Sequence, residues 1–179
     1  MNIKESRQMS ILKFAIFDSS LGNILFVSKD DALINIRIFN DDASFIKNRF
    51  LLKEPDAVES IKSFMNIANQ LDAFLKGERI DFHEIHVNLS NLPDFTQRVL
   101  KETRKIPYGE VRTYGFISKR LGYKNAARAV GQALKKNPIP IIIPCHRVIR
   151  EDCSIGGYSL GINIKQRLLA IEGIKISSE

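Results

Sequence analysis

The stretch Asn137-Pro138-Ile139-Pro140-Ile141-Ile142-Ile143-Pro144-Cys145-His146-Arg147-Val148-Ile149 limits the fold of this chain more than any other. Its three prolines forbid an α-helix, because each lacks an N–H and clashes with the carbonyl one turn back. The β-branched run Ile141-Ile142-Ile143 reads as a short buried strand or an extended segment through a core. Such a segment delivers Cys145 into a walled pocket, where its neighbours and not bulk water set the protonation of the thiol. The residues alone leave two readings of that thiol open, inert packing and nucleophile.

A chain of 179 residues, 44% hydrophobic and 26% charged, can hold one ample domain or two small ones, each with its own core. No run of about 18 apolar residues occurs, so no membrane span is expected. The leader Met1–Ser10 is too polar for a signal peptide, which predicts a cytoplasmic protein, nuclear in a eukaryote. Cys145 and Cys153 are the only cysteines, and with His83, His86 and His146 they make no recognisable zinc pattern. No disulfide, metal or cofactor is therefore expected.

The net charge of +7 is unevenly divided. Residues 1–90 carry 11 Lys+Arg against 13 Asp+Glu, and residues 91–179 carry 16 against 7. This asymmetry suggests a polyanion-binding module joined to a neutral companion, with the boundary at Ser90-Asn91-Leu92-Pro93.

In the first part, 12–19, 24–28 and 32–39 are short β-rich runs separated by turn residues, the pattern of a three-stranded antiparallel meander. Residues 43–52 read as a helix. Over 58–76, Val58, Ile61, Phe64, Met65, Ala68, Leu71 and Leu75 recur at three and four, which predicts a long amphipathic helix packed on the sheet. Residues 80–89 read as one more strand. His83 and His86, three apart, would then point to opposite faces, the pattern of surface or half-buried histidines and not of ligands.

In the second part, Phe95, Val99, Leu100 and Thr103 form a helical stripe. Thr113 offers an N-cap to 114–121, with Phe116, Ile117 and Leu121 inward and Gly122 as the stop. A tight turn leads into 126–136, completing a helix-turn-helix pattern. The outer side of that second helix is small, with Ala126, Ala127, Ala129, Gly131 and Ala133, and Arg128 is its one long side chain near the start. Such a helix can press into a narrow groove, or pack tightly on another helix. A Gly-rich loop over 155–161 lacks the spacing of a phosphate loop and is expected to fold over a pocket. A last helix, 163–171, brings Glu172 to its end before Gly173.

A thiol must lose its proton to attack. A histidine can take it directly or through one water, and a carboxylate can hold the imidazole in place. Cys145, His146 and Glu172 are the candidates. Neighbours in an extended segment point apart, so Cys145 and His146 need a bend or a bridging water to cooperate. Arg147 and Arg150 flank the cysteine and read either as thiolate-stabilising charges or as phosphate contacts. Cys153 reads as a free loop thiol.

Ile143-Pro144-Cys145-His146-Arg147-Val148 resembles the active-site signature of the O6-alkylguanine-DNA alkyltransferases, the methylated-DNA–protein-cysteine methyltransferases. Pro107-Tyr108-Gly109-Glu110-Val111, Tyr114, Ala126 to Gly131, Asn137-Pro138, Gly157-Tyr158-Ser159 and Leu168 to Gly173 follow in the family's order. The resemblance is specific from Pro93 to Gly173 and loose before. It implies an α/β protein of two domains: 1–90 with a ribonuclease-H-like fold, and 91–179 mostly helical, a winged-helix/helix-turn-helix unit carrying the chemistry. It also implies a monomer acting once on double-stranded DNA that contains O6-alkylguanine, with no cofactor.

By the same resemblance Cys145 takes the alkyl group, His146 is the base through water, and Glu172 orients it. Asn137 joins the recognition helix to the active-site segment. Tyr114 rotates the nucleotide and donates toward N3, while Arg128 fills the vacated position in the duplex. Ala126, Ala127, Ala129 and Gly131 line the minor groove. Backbone groups of Cys145, Val148 and Ser159, with Tyr158 as a wall, read the guanine edge. Some members carry a zinc site in the first domain, and this chain lacks its cysteines. Three rivals make different demands: a lesion sensor of the wider family would lack Cys145, a winged-helix regulator would prefer an operator sequence, and a cysteine hydrolase would need an oxyanion hole that the sequence does not reveal.

Overall fold

Runs rich in β-branched and aromatic residues make the first three strands, β1 (Leu12–Phe17), β2 (Asn23–Lys29) and β3 (Ala32–Phe39), pair as the expected antiparallel meander. The computed structural model describes residues 11–176, so the leader Met1–Ser10 lies outside the described residues. Between β2 and β3 the chain reverses through Asp30 and Asp31, both at positive φ (49° and 62°). Two such residues match the right-handed twist of the flanking strands, and aspartate tolerates the left-handed region.

Helix α1 (Ala43–Leu51) begins where the Asp42 side chain accepts from the Ser44 N–H at 2.8 Å, and its Ile46 packs over Phe14, Leu25 and Val27 on one face of the sheet. The helix expected from residue 58 starts later. Val58–Glu59 forms β4, parallel to β1, and gives the sheet the order β3-β2-β1-β4. Helix α2 then runs Ile61–Leu75. The later start corrects the expected stripe as well: Val58, Ile61 and Met65 are 52%, 52% and 44% exposed, while Phe64, Ile67, Leu71, Phe74 and Leu75 are buried. Phe64 sets that phase by stacking on Phe26 of β2 at 5.9 Å.

The strand expected over 80–89 does not form, apart from a single bridge between Leu33 and Val87. The carbonyls of Phe82, His83 and Ile85 all accept from Nη2 of Arg104 and are drawn away from any ladder. His83 and His86 are exposed on this loop, with His83 3.2 Å from Asp81.

The second part contains α3 (Asp94–Thr103), β5 (Arg112–Thr113), α4 (Tyr114–Arg120), α5 (Ala127–Lys135), β6 (Val148–Ile149) and α6 (Ile162–Ile171). Thr113 caps α4 as expected, accepting from the Phe116 N–H at 3.1 Å. Phe116 itself is not inward; it is exposed beneath the Arg112 guanidinium, 5.3 Å from the ring centre, and Ile117 and Ser118 take the buried positions. The Ser118 hydroxyl donates to Tyr123 O at 2.8 Å and accepts from Ala126 N at 3.2 Å, which fixes the turn between α4 and α5.

The run Ile141-Ile142-Ile143 is neither strand nor extended. Ile141 adopts φ +73°, Ile143 N–H bonds back to Ile139 O at 3.0 Å, and Cys145–Arg147 closes one turn of 3-10 helix. Asn137 is the cause: its Oδ1 accepts from Ile139 N at 3.0 Å and its Nδ2 donates to Ile143 O at 2.9 Å, so the side chain ties both ends of a tight loop. Pro144 precedes the 3-10 turn, where its missing N–H is not required. The three isoleucines remain buried.

Packing does not respect the boundary in charge near residue 90. One buried cluster includes Phe26, Phe64 and Phe74 from the first part with Leu100, Ile139, Ile143 and Leu168 from the second. The Ile36 N–H donates to Pro138 O at 2.8 Å, and Arg167 of α6 grips Ser20 through its carbonyl (2.7 Å) and hydroxyl (2.8 Å).

Candidate active site

Because Cys145 opens a 3-10 turn, its side chain and that of His146 diverge, and they face different environments. Cys145 is 5% exposed and sits at the wall of a cavity of about 450 Å³ lined also by Tyr114, Arg128, Gly131, Arg150, Tyr158 and Ser159. The Asn137 amide donates to its sulfur at 3.0 Å. His146 is fully buried, and its Nε2 lies 2.7 Å from Glu172 Oε1. Glu172 also receives Arg147 Nε on both oxygens, at 3.0 and 2.9 Å, and the Gly109 N–H at 3.1 Å.

Phe74 and Tyr158 flank the imidazole at 6.4 and 6.3 Å. Tyr114, the first residue of α4, lies against Gly131 of α5, and its hydroxyl reaches the 155–161 loop near Gly157 O at 3.5 Å. On α5 the small outer face is narrower than expected: Ala133 is buried with Val130 and Leu134, whereas Arg128 and Ala129 are exposed and Ala126, Ala127 and Gly131 half-buried.

A family model described as 6-O-methylguanine DNA methyltransferase, DNA binding domain, matches residues 94–174. A methylated-DNA–protein-cysteine methyltransferase of Methanosarcina acetivorans is 39% identical over 162 residues, covering 89% of this chain and 97% of the relative. That of Saccharolobus islandicus is 45% identical over 145 residues, covering 79% and 90%. The chain belongs to the methylated-DNA–protein-cysteine methyltransferase family. Crystal structures agree. The O6-methylguanine methyltransferase of Mycobacterium tuberculosis superposes with TM-score 0.75 at 35% identity, covering 90% of this chain and 93% of that one. A second structure of a Mycobacterium tuberculosis relative, in complex with DNA, gives 0.75 at 36%, covering 89% and 92%. This chain is accordingly a DNA-binding methyltransferase of DNA repair, an α/β protein with a four-stranded sheet.

In this methyltransferase, burial pushes the Cys145 thiol up, against the Asn137 hydrogen bond and the nearby Lys165 charge, so the resting sulfur is protonated and needs a base. Burial likewise pushes His146 down, despite Glu172, and keeps the imidazole neutral at pH 7. Burial alone would raise Glu172, but hydrogen bonds from His146 and Gly109 and the Arg147 charge outweigh it and hold the carboxyl below its ordinary value. An anionic Glu172 fixes the proton of neutral His146 on Nε2. Nδ1, buried and without a hydrogen-bond partner, is left as the basic atom.

Two cations have roles that sequence reasoning did not assign. Arg147 is neither a phosphate contact nor a neighbour held for the thiolate: it is buried against Glu172, with Nη1 donating to Ile106 O at 2.6 Å. Lys165 is fully buried in α6, and its Nζ donates to the carbonyls of Val148 and Ile155 and approaches Gly157 O at 3.5 Å. Burial brings its pKa down to about 8. The signal was present, since Lys165 falls three before Leu168 and four before Leu169, on the buried face of the helix. Val148 is buried outside the cavity lining, its N–H bonded to Cys145 O and its carbonyl to Lys165. Arg150 and Cys153 lie on the exposed loop after β6, and Arg150 alone of the two lines the cavity. Among the described residues no group of three His, Cys, Asp or Glu could hold a metal, and no helix is long and apolar enough to cross a membrane.

Proposed function

We propose that this chain removes alkyl groups from O6-alkylguanine in double-stranded DNA, one per molecule, by irreversible transfer to Cys145. The observation that carries the reading is a buried sulfur at the wall of a cavity roomy enough for an extruded nucleobase, beside a neutral histidine whose basic nitrogen is free. The thiol proton passes to His146 Nδ1 through a bridging water, and Glu172 stabilises the imidazolium that forms. The sulfur attacks the alkyl carbon in line. The S–C bond forms as the C–O6 bond breaks, its electron pair leaves on the guanine, and a proton donated near N3 by Tyr114 neutralises the base. The thioether has no leaving group, so the protein is spent.

A base in a duplex must leave the stack to reach this sulfur, at a cost of a few kcal/mol. Exposed Arg128 and Ala129, with Ala126, Ala127 and Gly131, support α5 as the minor-groove helix, Arg128 filling the vacated position. Backbone groups at Cys145 and Ser159, the second lone pair of Val148 O, and Tyr158 as a wall would read the guanine edge. Asn137 positions the sulfur through its hydrogen bond. The antiparallel meander with a parallel fourth strand supports a ribonuclease-H-like reading of 1–90, and the close pair α4 and α5 a helix-turn-helix in 91–179. We read the protein as a cytoplasmic monomer. A duplex oligonucleotide bearing O6-methylguanine should add one methyl mass to the Cys145 peptide, in at most one equivalent, and Cys145→Ser should abolish the transfer while duplex affinity persists. Multiple turnover, or a gain only on Cys153, would overturn the proposal.

A further inference from the structure

We infer that Glu151 is a positioning residue for alkyl transfer, acting on Tyr114 through the backbone of Gly115. The inference rests on the reading above. The loop after β6 is braced within itself: Arg150 N–H bonds to Ser154 O at 3.0 Å, Cys153 N–H to Arg150 O at 3.1 Å, and Ser154 N–H to Asp152 Oδ1 at 2.9 Å. From this small turn Glu151 reaches the start of α4, where its Oε1 accepts from the N–H of Gly115 at 2.9 Å. Gly115 follows Tyr114 in the first turn of α4, where that amide has no partner within the helix.

Gly115 and Glu151 are matched to one another. A Cβ at position 115 would overlap Glu151 Oε1, so any larger residue there would force the carboxylate to move off this position on the amide. The other end of the same loop meets the other end of the same tyrosine: Tyr114 Oη lies 3.5 Å from Gly157 O and within contact of Gly156. Tyr114 is thus held at its backbone by Glu151 and at its hydroxyl by the loop that Glu151 anchors. The arrangement has an electrostatic cost, because the charged residues that line the cavity are Arg128, Lys135 and Arg150, and an exposed carboxylate next to Arg150 in the chain repels a DNA phosphate. A side chain that weakens DNA attraction yet is matched to a glycine beside Tyr114 acts on the chemical step.

The test separates affinity from rate. For Glu151→Ala, the dissociation constant for an unmodified duplex should be unchanged or lower, while the maximal single-turnover rate on O6-methylguanine duplex falls about fivefold, the ratio equivalent to one helix cap of about 1 kcal/mol. Glu151→Gln, which keeps an acceptor oxygen without the charge, should restore the rate and keep the tighter binding. Gly115→Ala should slow transfer similarly, and the double variant Gly115→Ala with Glu151→Ala should be no slower than either alone. A rate in Glu151→Ala equal to wild type, a parallel loss of affinity and rate, or additive losses in the double variant would each overturn the inference. Failure of the wild type itself to alkylate Cys145 would instead overturn the proposed function.

Discussion

Glu172 serves three partners at once, His146, Arg147 and the Gly109 N–H, and replacing it with glutamine separates them. The amide oxygen of Glu172→Gln can still accept from His146 Nε2, but its NH2 group then faces two donors, Arg147 Nε and Gly109 N–H. Arg147 is buried and keeps its charge without a counterion. Removing one partner of a buried pair costs about 3 to 5 kcal/mol, equivalent to a fall in melting temperature of roughly 10 °C in a chain of this size. A second change, Arg147→Met, removes the stranded charge and should recover all but about 1 to 2 kcal/mol, the residue reflecting the Ile106 carbonyl that loses its donor. Because Arg147→Met alone already costs at least that same amount, the pair should couple by at least about 3 kcal/mol, a strong departure from additivity. Urea unfolding of wild type, both single variants and the double variant at pH 7 measures this directly. A cost below about 1 kcal/mol for Glu172→Gln, or a double variant whose loss equals the sum of the singles, would refute the view that Glu172 is primarily the counterion of Arg147. Alkyl transfer by the double variant should stay slow even where stability returns, because His146 has lost the carboxylate that fixes its proton.

Two further outcomes follow from the site. Because burial holds His146 below its ordinary value of 6.5, the transfer rate should stay level as pH falls to 6.5 and decline only below it; an acid limb centred at or above 6.5 would contradict a buried neutral base. The same shift makes the unfolded chain bind more protons than the native one below pH 6.5, so this group's contribution to stability is lost on further acidification, readable as a falling urea midpoint. Gly156 adopts φ +66°, and a Cβ there would meet Tyr114 Oη at 2.8 Å and Cε2 at 3.2 Å. Gly156→Ala should cost about 1 to 2 kcal/mol of stability and slow transfer about tenfold by displacing Tyr114; an unchanged rate would show that Tyr114 need not be held.

The meander, the cap at Thr113 and the meeting of Glu172 with His146 were legible because each rests on local chemistry or on a specific resemblance. What the sequence concealed had causes outside the local pattern. The strand expected over 80–89 fails because one guanidinium, twenty residues on, collects its carbonyls. The Ile141 to Ile143 run becomes a loop because the Asn137 side chain substitutes for backbone partners at both ends. The phase of α2 departs from the expected stripe because Val58 and Glu59 are used as a strand beside β1. Arg147 offered no sign of its destination, since its partner lies 25 residues away and only the folded chain brings them together.

Phe74, far from the chemistry in sequence, packs 6.4 Å from His146, and Ile36 hydrogen-bonds the residue next to Asn137. Anyone seeking a minimal tool by trimming the protein to the region that the family model covers would strip the back wall from its own catalyst. The shortened piece would present a broad greasy scar, and would need a new covering before its sulfur could be expected to behave as it does in the whole molecule.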